Sequence, residues 1–302
     1  SLLTSAATSV EARQSALELL AAITYKPPVW QGEWWAYHPA LQPPPERTVP
    51  WEGTDLILAT LRSELGDPEV ALRRVALNGL LAAKDAAAAP QLRERLSAES
   101  DLENRRLILK TLAALKDAAA TPAVIHLIND PATPAELRVE ALHTAAELGG
   151  DDAGRAVLAV LEADQPSPSL LAAAIPAVAR LQPAGAVDAL ARHFLNPDAP
   201  IRDAALEAAV RINPETALEL IRPLLAHTDF NLRVSAIQAL GRLRDPQIVP
   251  VLLDAFAQPT TRDAAIQALT RRPDVRAVPA YLAGLDRGDF QLREASRGAL
   301  QS

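Results

Sequence analysis

Apolar residues recur along most of this chain at positions i, i+3, i+4 and i+7, the stripe of an amphipathic α-helix. Two stretches set the register. Arg202 is followed by Ala205, Leu206 and Ala209, and Arg233 by Ala236, Ile237 and Leu240. The same frame returns at Arg13, Arg73, Arg105, Arg138, Arg202, Arg233, Arg262 and Arg293, with Leu171 in the Arg slot of one copy. Successive gaps are 60, 32, 33, 33, 31, 31, 29 and 31 residues, so the first gap is one repeat plus about 29 extra residues. A fixed period of this size is the signature of a stacked repeat array.

A second register marks another helix in each repeat. Asp85, Asp117, Asp245 and Asp274 are each followed five residues later by a proline: Pro90, Pro122, Pro250 and Pro279. Asp just before an apolar run satisfies the orphan N–H groups of a helix start. The proline lacks an N–H and is expected to bend the start of that helix. Short loops carrying Asp198, Asp229 or Asp289 then cap the second helix, four residues before its Arg. Each unit is therefore helix, tight turn, helix. Neither helix can bury its stripe alone, so stability comes from stacking on the neighbours.

This Asp and Arg pattern at about 31 residues resembles HEAT repeats, specifically the short type found in bilin lyases. The resemblance implies an all-α, right-handed HEAT-type α-solenoid of about eight to nine helix pairs. Residues 1–24 would be a partial repeat, 25–53 an irregular insert, and 54–302 a solenoid of about eight repeats. In that family the repeated Asp and Arg form a ladder of hydrogen bonds between adjacent repeats. The resemblance gives that role to Arg73, Arg105, Arg138, Arg202, Arg233, Arg262 and Arg293, with an interruption at Leu171. Neither end carries an obvious polar cap, so the natural polypeptide is expected to continue on at least one side.

The insert departs from the helical pattern. Residues 25–53 hold seven prolines in 29 residues, all four Trp of the chain (Trp30, Trp34, Trp35, Trp51) and two of its three Tyr. That proline density excludes a regular helix or central strand and favours extended backbone. The Trp content points to an ordered segment with packed rings rather than a disordered linker. Thr54 reads as the cap of the following run Asp55–Leu65. The expected outcomes are a loop packed over the first repeats or an aromatic docking site made by Trp30, Trp34, Trp35, Tyr37, His38 and Trp51, since exposed Trp and Tyr are typical interface anchors.

A second resemblance rests on Gly32-Glu33-Trp34-Trp35-Ala36-Tyr37-His38-Pro39 followed by Pro50-Trp51-Glu52-Gly53-Thr54. It is similar to a Gly-Trp-Trp-Gly-x-x-Pro and Trp-Glu-Gly-Thr segment within the HEAT region of large planctomycete and verrucomicrobial proteins, departing from it at Glu33 and Ala36. There the repeats connect a dehydrogenase-like β-propeller to a cytochrome c-like domain. The resemblance implies a connecting module of an exported multidomain redox protein, hence a periplasmic setting, although no targeting signal is present.

Composition narrows the function further. The net charge of −7 and pI near 5.3 argue against nucleic-acid binding, which needs a basic face. No apolar run reaches the roughly eighteen residues of a membrane span. Zero Cys removes thiolate metal sites, Cys nucleophiles and covalent haem attachment from these residues. The five His (38, 126, 143, 193 and 227) lack metal-ligand spacing, and no Gly-rich phosphate loop or Gly-x-Ser-x-Gly elbow is present. No cofactor and no catalytic constellation is expected. Arg105-Arg106 and Arg271-Arg272 each add a second Arg beyond the repeat slot, candidates for carboxylate contact on a partner. The leading reading is a non-catalytic scaffold that binds a protein partner or flanking domains of the same polypeptide. The alternatives are a bilin-lyase-like protein and a carbohydrate-binding module using the Trp cluster.

Overall fold

The computed structural model describes residues 9–29, 48–243 and 245–302. These residues form seventeen α-helices and four short 3-10 segments, with a single isolated β-bridge between Lys26 and Val49. The chain divides into two compact units, 1–148 and 149–302.

The first unit holds α1 (Val10–Ala22) and three helix pairs: α2 (Thr54–Glu64) with α3 (Val70–Ala83), α4 (Ala89–Ala98) with α5 (Leu102–Ala114), and α6 (Thr121–Asn129) with α7 (Ala135–Leu148). The second holds five pairs: α8 (Asp151–Glu162) with α9 (Pro168–Leu181), α10 (Ala186–Ala191) with α11 (Ala199–Ile212), α12 (Pro214–Ile221) with α13 (Phe230–Leu240), α14 (Ile248–Ala257) with α15 (Arg262–Thr270), and α16 (Val278–Leu285) with α17 (Phe290–Gln301). Within each unit the second helices stack on one another: α1 on α3, α3 on α5, α5 on α7, and α9, α11, α13, α15 and α17 in turn. The division falls just before the pair with Leu171 in the Arg slot.

The apolar register explains the stacking. Counted from the Arg slot, positions three, four and seven on are Ala76, Leu77 and Leu80 in α3, and Ala141, Leu142 and Ala145 in α7; all are buried. The second unit repeats this with Ala205, Leu206 and Ala209, then Ala236, Ile237 and Leu240. Alanine in the first of these positions lets successive helix axes approach closely, while the Leu or Ile beside it fills the layer. Burying each such Leu or Ile contributes about 1.5–3 kcal/mol. The last pair departs from the rule, with Ser296 in the Ala slot and Leu300 36% exposed.

Two expectations about local structure are corrected. Three of the four Asp-to-Pro prolines sit at a helix start where they break no helical bond. Asp85 and Asp274 instead cap 3-10 turns (Ala86–Ala88 and Val275–Ala277), and the α-helices begin after these turns. Pro90, Pro122 and Pro279 then occupy the second α-helical position, where an N–H has no intrahelical acceptor, so its absence costs no bond. A proline in a helix interior is Pro176, inside α9. It removes the bond to the Ala172 carbonyl on the exposed side of that helix. Thr54 is likewise not a cap. Gly53 takes the N-cap position of α2, and the Thr54 hydroxyl is engaged elsewhere, as described below.

Candidate functional site

The root of the insert is fixed by a set of bonds that also finish α1. The last carbonyls of a helix lack intrahelical donors. In α1 two carbonyls just beyond the helix are met by the returning chain. Trp51 Nε1 donates to the Ile23 carbonyl at 2.9 Å, and Thr54 Oγ1 donates to the Thr24 carbonyl at 2.6 Å. The same hydroxyl accepts the Trp51 backbone N–H at 3.0 Å, which is why it does not cap α2. Between these points Lys26 and Val49 exchange backbone bonds of 3.1 and 2.7 Å, antiparallel. Tyr25 donates to the Ala83 carbonyl at the end of α3 at 3.3 Å. The half-buried Trp51 ring lies against Gly53, where a Cβ would come within 2.5 Å of Cη2. Glycine is required there by contact, since any side chain would displace the ring.

Of the six aromatic-site candidates, Trp51 belongs to this root. Trp30, Trp34, Trp35, Tyr37 and His38 lie outside the described residues. Beside the root, Leu19 in the last turn of α1 and Ile23 just after it are 68% and 49% exposed.

The Arg slot does a job the sequence did not announce. Most of these arginines brace the turn of their own repeat by donating to backbone carbonyls five or six residues earlier. Arg73 reaches the Asp67 and Pro68 carbonyls at 2.8 and 2.9 Å, and Arg233 those of His227 and Thr228 at 2.7 and 3.0 Å. Arg202 reaches Asn196 and Arg262 reaches Phe256, each at 3.2 Å. Arg138 bonds Ile128, ten residues back, at 2.9 Å. Arg233 and Arg262 also sit over the Phe230 and Phe256 rings, at 5.8 and 5.6 Å. Arg105 keeps a buried Nε without a hydrogen-bond partner, and Arg293 is exposed.

Bonds between successive repeats come from only some of the slot. Arg13 pairs with Asp67, Arg202 Nε donates to Ser235 Oγ at 3.2 Å, and Arg73 forms a bidentate pair with Glu99, both bonds 2.7 Å. The Glu99 side chain is fully buried. Burial alone would raise its pKa, but the Arg73 bonds, the Asp101 N–H and the charges of Arg73 and Arg95 outweigh it and hold the carboxyl at about 2. Further inter-repeat bridges were missed from sequence. They run along the first helices, from Arg62 to Asp85 (2.9 Å) and from Arg93 to Asp117 (2.7 Å). The available signal was the recurrence of an Arg 23 or 24 residues before each Asp.

The additional arginines are placed as follows. Arg106 pairs with Glu103 at 3.1 Å and lies 3.8 Å from Glu140. Arg271 donates to the Gln238 carbonyl at 3.0 Å, and Arg272 is exposed.

The histidines are placed as follows. His193 is buried with Nε2 2.9 Å from the Leu161 carbonyl, and His227 Nδ1 accepts the Asp229 N–H at 3.0 Å. His126 and His143 are exposed. No group of three or more His, Asp or Glu among the described residues is placed to hold a metal. No helix among them is long and apolar enough to cross a membrane.

With this geometry in place, comparison with known proteins is informative about the fold. A family model for HEAT repeats matches residues 195–270 and 218–301. Residues 195–301 carry HEAT repeats. Its architecture is that of the all-α repeat scaffolds, whose stacked helices present extended surfaces to other proteins. Three solved structures are similar. YibA of E. coli is 16% identical, covering 85% of this chain and 99% of its own, with a TM-score of 0.50. Kap95p, in its complex with RanGDP, is 14% identical over 99% of this chain and 44% of its own, at 0.58. The CpcE–CpcF phycocyanin lyase complex of Nostoc sp. PCC7120 is 19% identical over 84% of this chain and 97% of that one, at 0.47. Identities of this size speak for the fold alone. No curated protein matches the chain.

Proposed function

We propose that this chain is a non-catalytic interaction scaffold whose docking element is the 25–53 insert, engaging either a separate protein or flanking domains of the same polypeptide. The observation that supports this most is the anchored root: Trp51, Thr54, Lys26, Val49 and Tyr25 tie both ends of the insert to α1, α2 and α3. Anchoring both ends removes most of the loop-closure entropy before any partner arrives, so less is lost on binding. The exposed Leu19 and Ile23 add apolar surface beside the root. The Gly-Trp-Trp and Trp-Glu-Gly-Thr resemblance supplies the finer reading, in which the flanking domains are a dehydrogenase propeller and a cytochrome c and the setting is periplasmic.

Tryptophan emission tests the reading, because every Trp lies between residues 30 and 51. The Trp51→Phe variant removes the half-buried ring and leaves three reporters. Red-shifted emission readily quenched by acrylamide is the expected result, meaning rings that await a partner. Blue-shifted, quench-resistant emission in that variant overturns it and makes the insert a structural cover.

A further inference from the structure

A second Arg row runs through the second unit, nine residues after the repeat slot. Arg180, Arg211, Arg242 and Arg271 are 31, 31 and 29 residues apart and fall at the C-terminal ends of α9, α11, α13 and α15. The equivalent positions of the first unit are Ala22, Ala82, Ala114 and Glu147. A helix-end dipole attracts a cation anywhere in the last turn. It does not demand one slot on four consecutive helices, nor a groove between them.

Such a groove is present. A cavity of about 380 Å³ opens between the ends of α11 and α13, walled by Arg211, Arg242 and Glu207 over Val210, Pro214 and Leu243. Arg242 pairs with Glu207 at 2.7 Å. Arg211 has no ion-pair partner among the described residues. Arg271 is joined to the row by its bond to the Gln238 carbonyl of α13. Partial desolvation, and then the nearby Arg242 charge, push the Arg271 guanidinium below its ordinary range, with Glu207 offsetting part of this. Three guanidinium groups therefore share one carboxylate, a local excess of positive charge on a chain of net charge −7.

We infer that Arg211, Arg242 and Arg271, with the apolar floor between the first two, form a docking groove for an extended acidic peptide segment. Helices packed in successive layers are about 8–10 Å apart. A peptide in the polyproline II conformation advances about 3.1 Å per residue with three residues per turn, so carboxylates at every third position share one face and meet successive arginines. A small apolar side chain between them fits over Val210 and Leu243. A nucleic-acid strand fits less well: it carries a charge at every nucleotide and would run beyond the three arginines over a chain of net charge −7, whereas the peptide carries charge only at the facing positions. This surface is independent of the insert and does not rest on the function proposed for it.

The test is fluorescence anisotropy with the full chain and a labelled peptide of about twelve residues, Glu at every third position and Ala or Leu between. The expected result is saturable, salt-sensitive binding, weakened about fivefold or more by each of Arg211→Ala and Arg242→Ala. The Gln version of the peptide should not bind, and Arg155→Ala, an equal charge change on α8, should leave binding unchanged. Arg211 has no internal partner to lose, so its variant keeps the wild-type circular dichroism and thermal midpoint. A matching gain comes from Arg211→Glu with a peptide carrying Lys at the facing position. Absence of binding by the wild type, equal weakening by Arg155→Ala, or tighter Arg-dependent binding of oligothymidylate overturns the assignment.

Discussion

The Arg73–Glu99 pair yields a quantitative prediction about the first unit. Its two 2.7 Å bonds join α3 to the turn between α4 and α5, and both side chains are almost wholly out of water. Glu99 has a pKa of about 2 against an ordinary 4.5. That difference corresponds to about 3 kcal/mol of stability at neutral pH. Because the folded-state pKa is depressed, the contribution is fully present above pH 4.5 and is lost as the pH falls from there towards 2. By pH 3 less than half remains, about 1 kcal/mol. Glu99→Gln should therefore lower the unfolding free energy of this unit by about 3 kcal/mol at pH 7, and the gap to wild type should shrink by more than half at pH 3. Arg73→Ala should cost as much or more, about 3–5 kcal/mol, because it leaves a carboxylate buried without a partner. Urea unfolding followed by tryptophan fluorescence reads this unit selectively, since all four Trp fall between residues 30 and 51. A loss below about 1 kcal/mol at pH 7, or a gap that stays constant from pH 7 to pH 3, would refute the reasoning.

Three further substitutions test the packing. Ser296 Oγ is buried without a hydrogen-bond partner in a slot that alanine fills in most other pairs, so Ser296→Ala should stabilise the second unit by about 1 kcal/mol, seen as a higher thermal midpoint by circular dichroism. A Cβ at Gly241 would lie 2.6 Å from Ala268 Cβ and 2.9 Å from its Cα, neither of which can rotate away, so Gly241→Ala should cost about 1–3 kcal/mol in the same assay. Lys84 ends α3 at φ 49°, with the Lys84 and Asp85 N–H groups closing the helix on Leu81 and Leu80. A left-handed backbone costs a non-glycine residue about 1–2 kcal/mol, and glycine's extra unfolded-state freedom returns about 0.5–1. Lys84→Gly should thus raise the urea midpoint of the tryptophan transition by a small margin, and a lowered midpoint would count against the left-handed assignment.

The helix pairs were legible because their signal is periodic and lives in side chains: Arg, then Ala, Leu and Leu at helical spacing, with Asp at the turns. The role of the Arg slot was less legible. The sequence led to an expectation of Asp partners across repeats, whereas Arg138, Arg233 and Arg262 bond backbone carbonyls within their own repeat. A carbonyl is carried by every residue, so no sequence pattern marks it as a target. Where a charged residue does stand at the facing turn, as Glu99 does for Arg73, the same slot becomes an inter-repeat bond. The proline register misled for a related reason. A proline five residues after a capping Asp reads as a kink only if the α-helix starts at the Asp; the intervening 3-10 turn moves the helix start forward and leaves the proline in the first turn.

The same reasoning separates the two arginine rows. An arginine nine residues before the end of its helix can fold back over the preceding turn, where carbonyls without intrahelical donors are within reach, and its charge is spent inside the repeat. An arginine at the end of the helix has little turn left to brace. Arg271 finds one carbonyl on the neighbouring helix, Arg242 one glutamate, and Arg211 no ion pair among the described residues. Both rows recur with the repeat, so period alone does not distinguish a brace from a surface. What each guanidinium bonds does: Arg73, Arg138, Arg202, Arg233 and Arg262 reach carbonyls of their own repeat, whereas Arg242 and Arg271 reach only a neighbouring helix and Arg211 has no ion pair among the described residues. On that measure the capacity of this chain to hold an acidic partner lies in the second row.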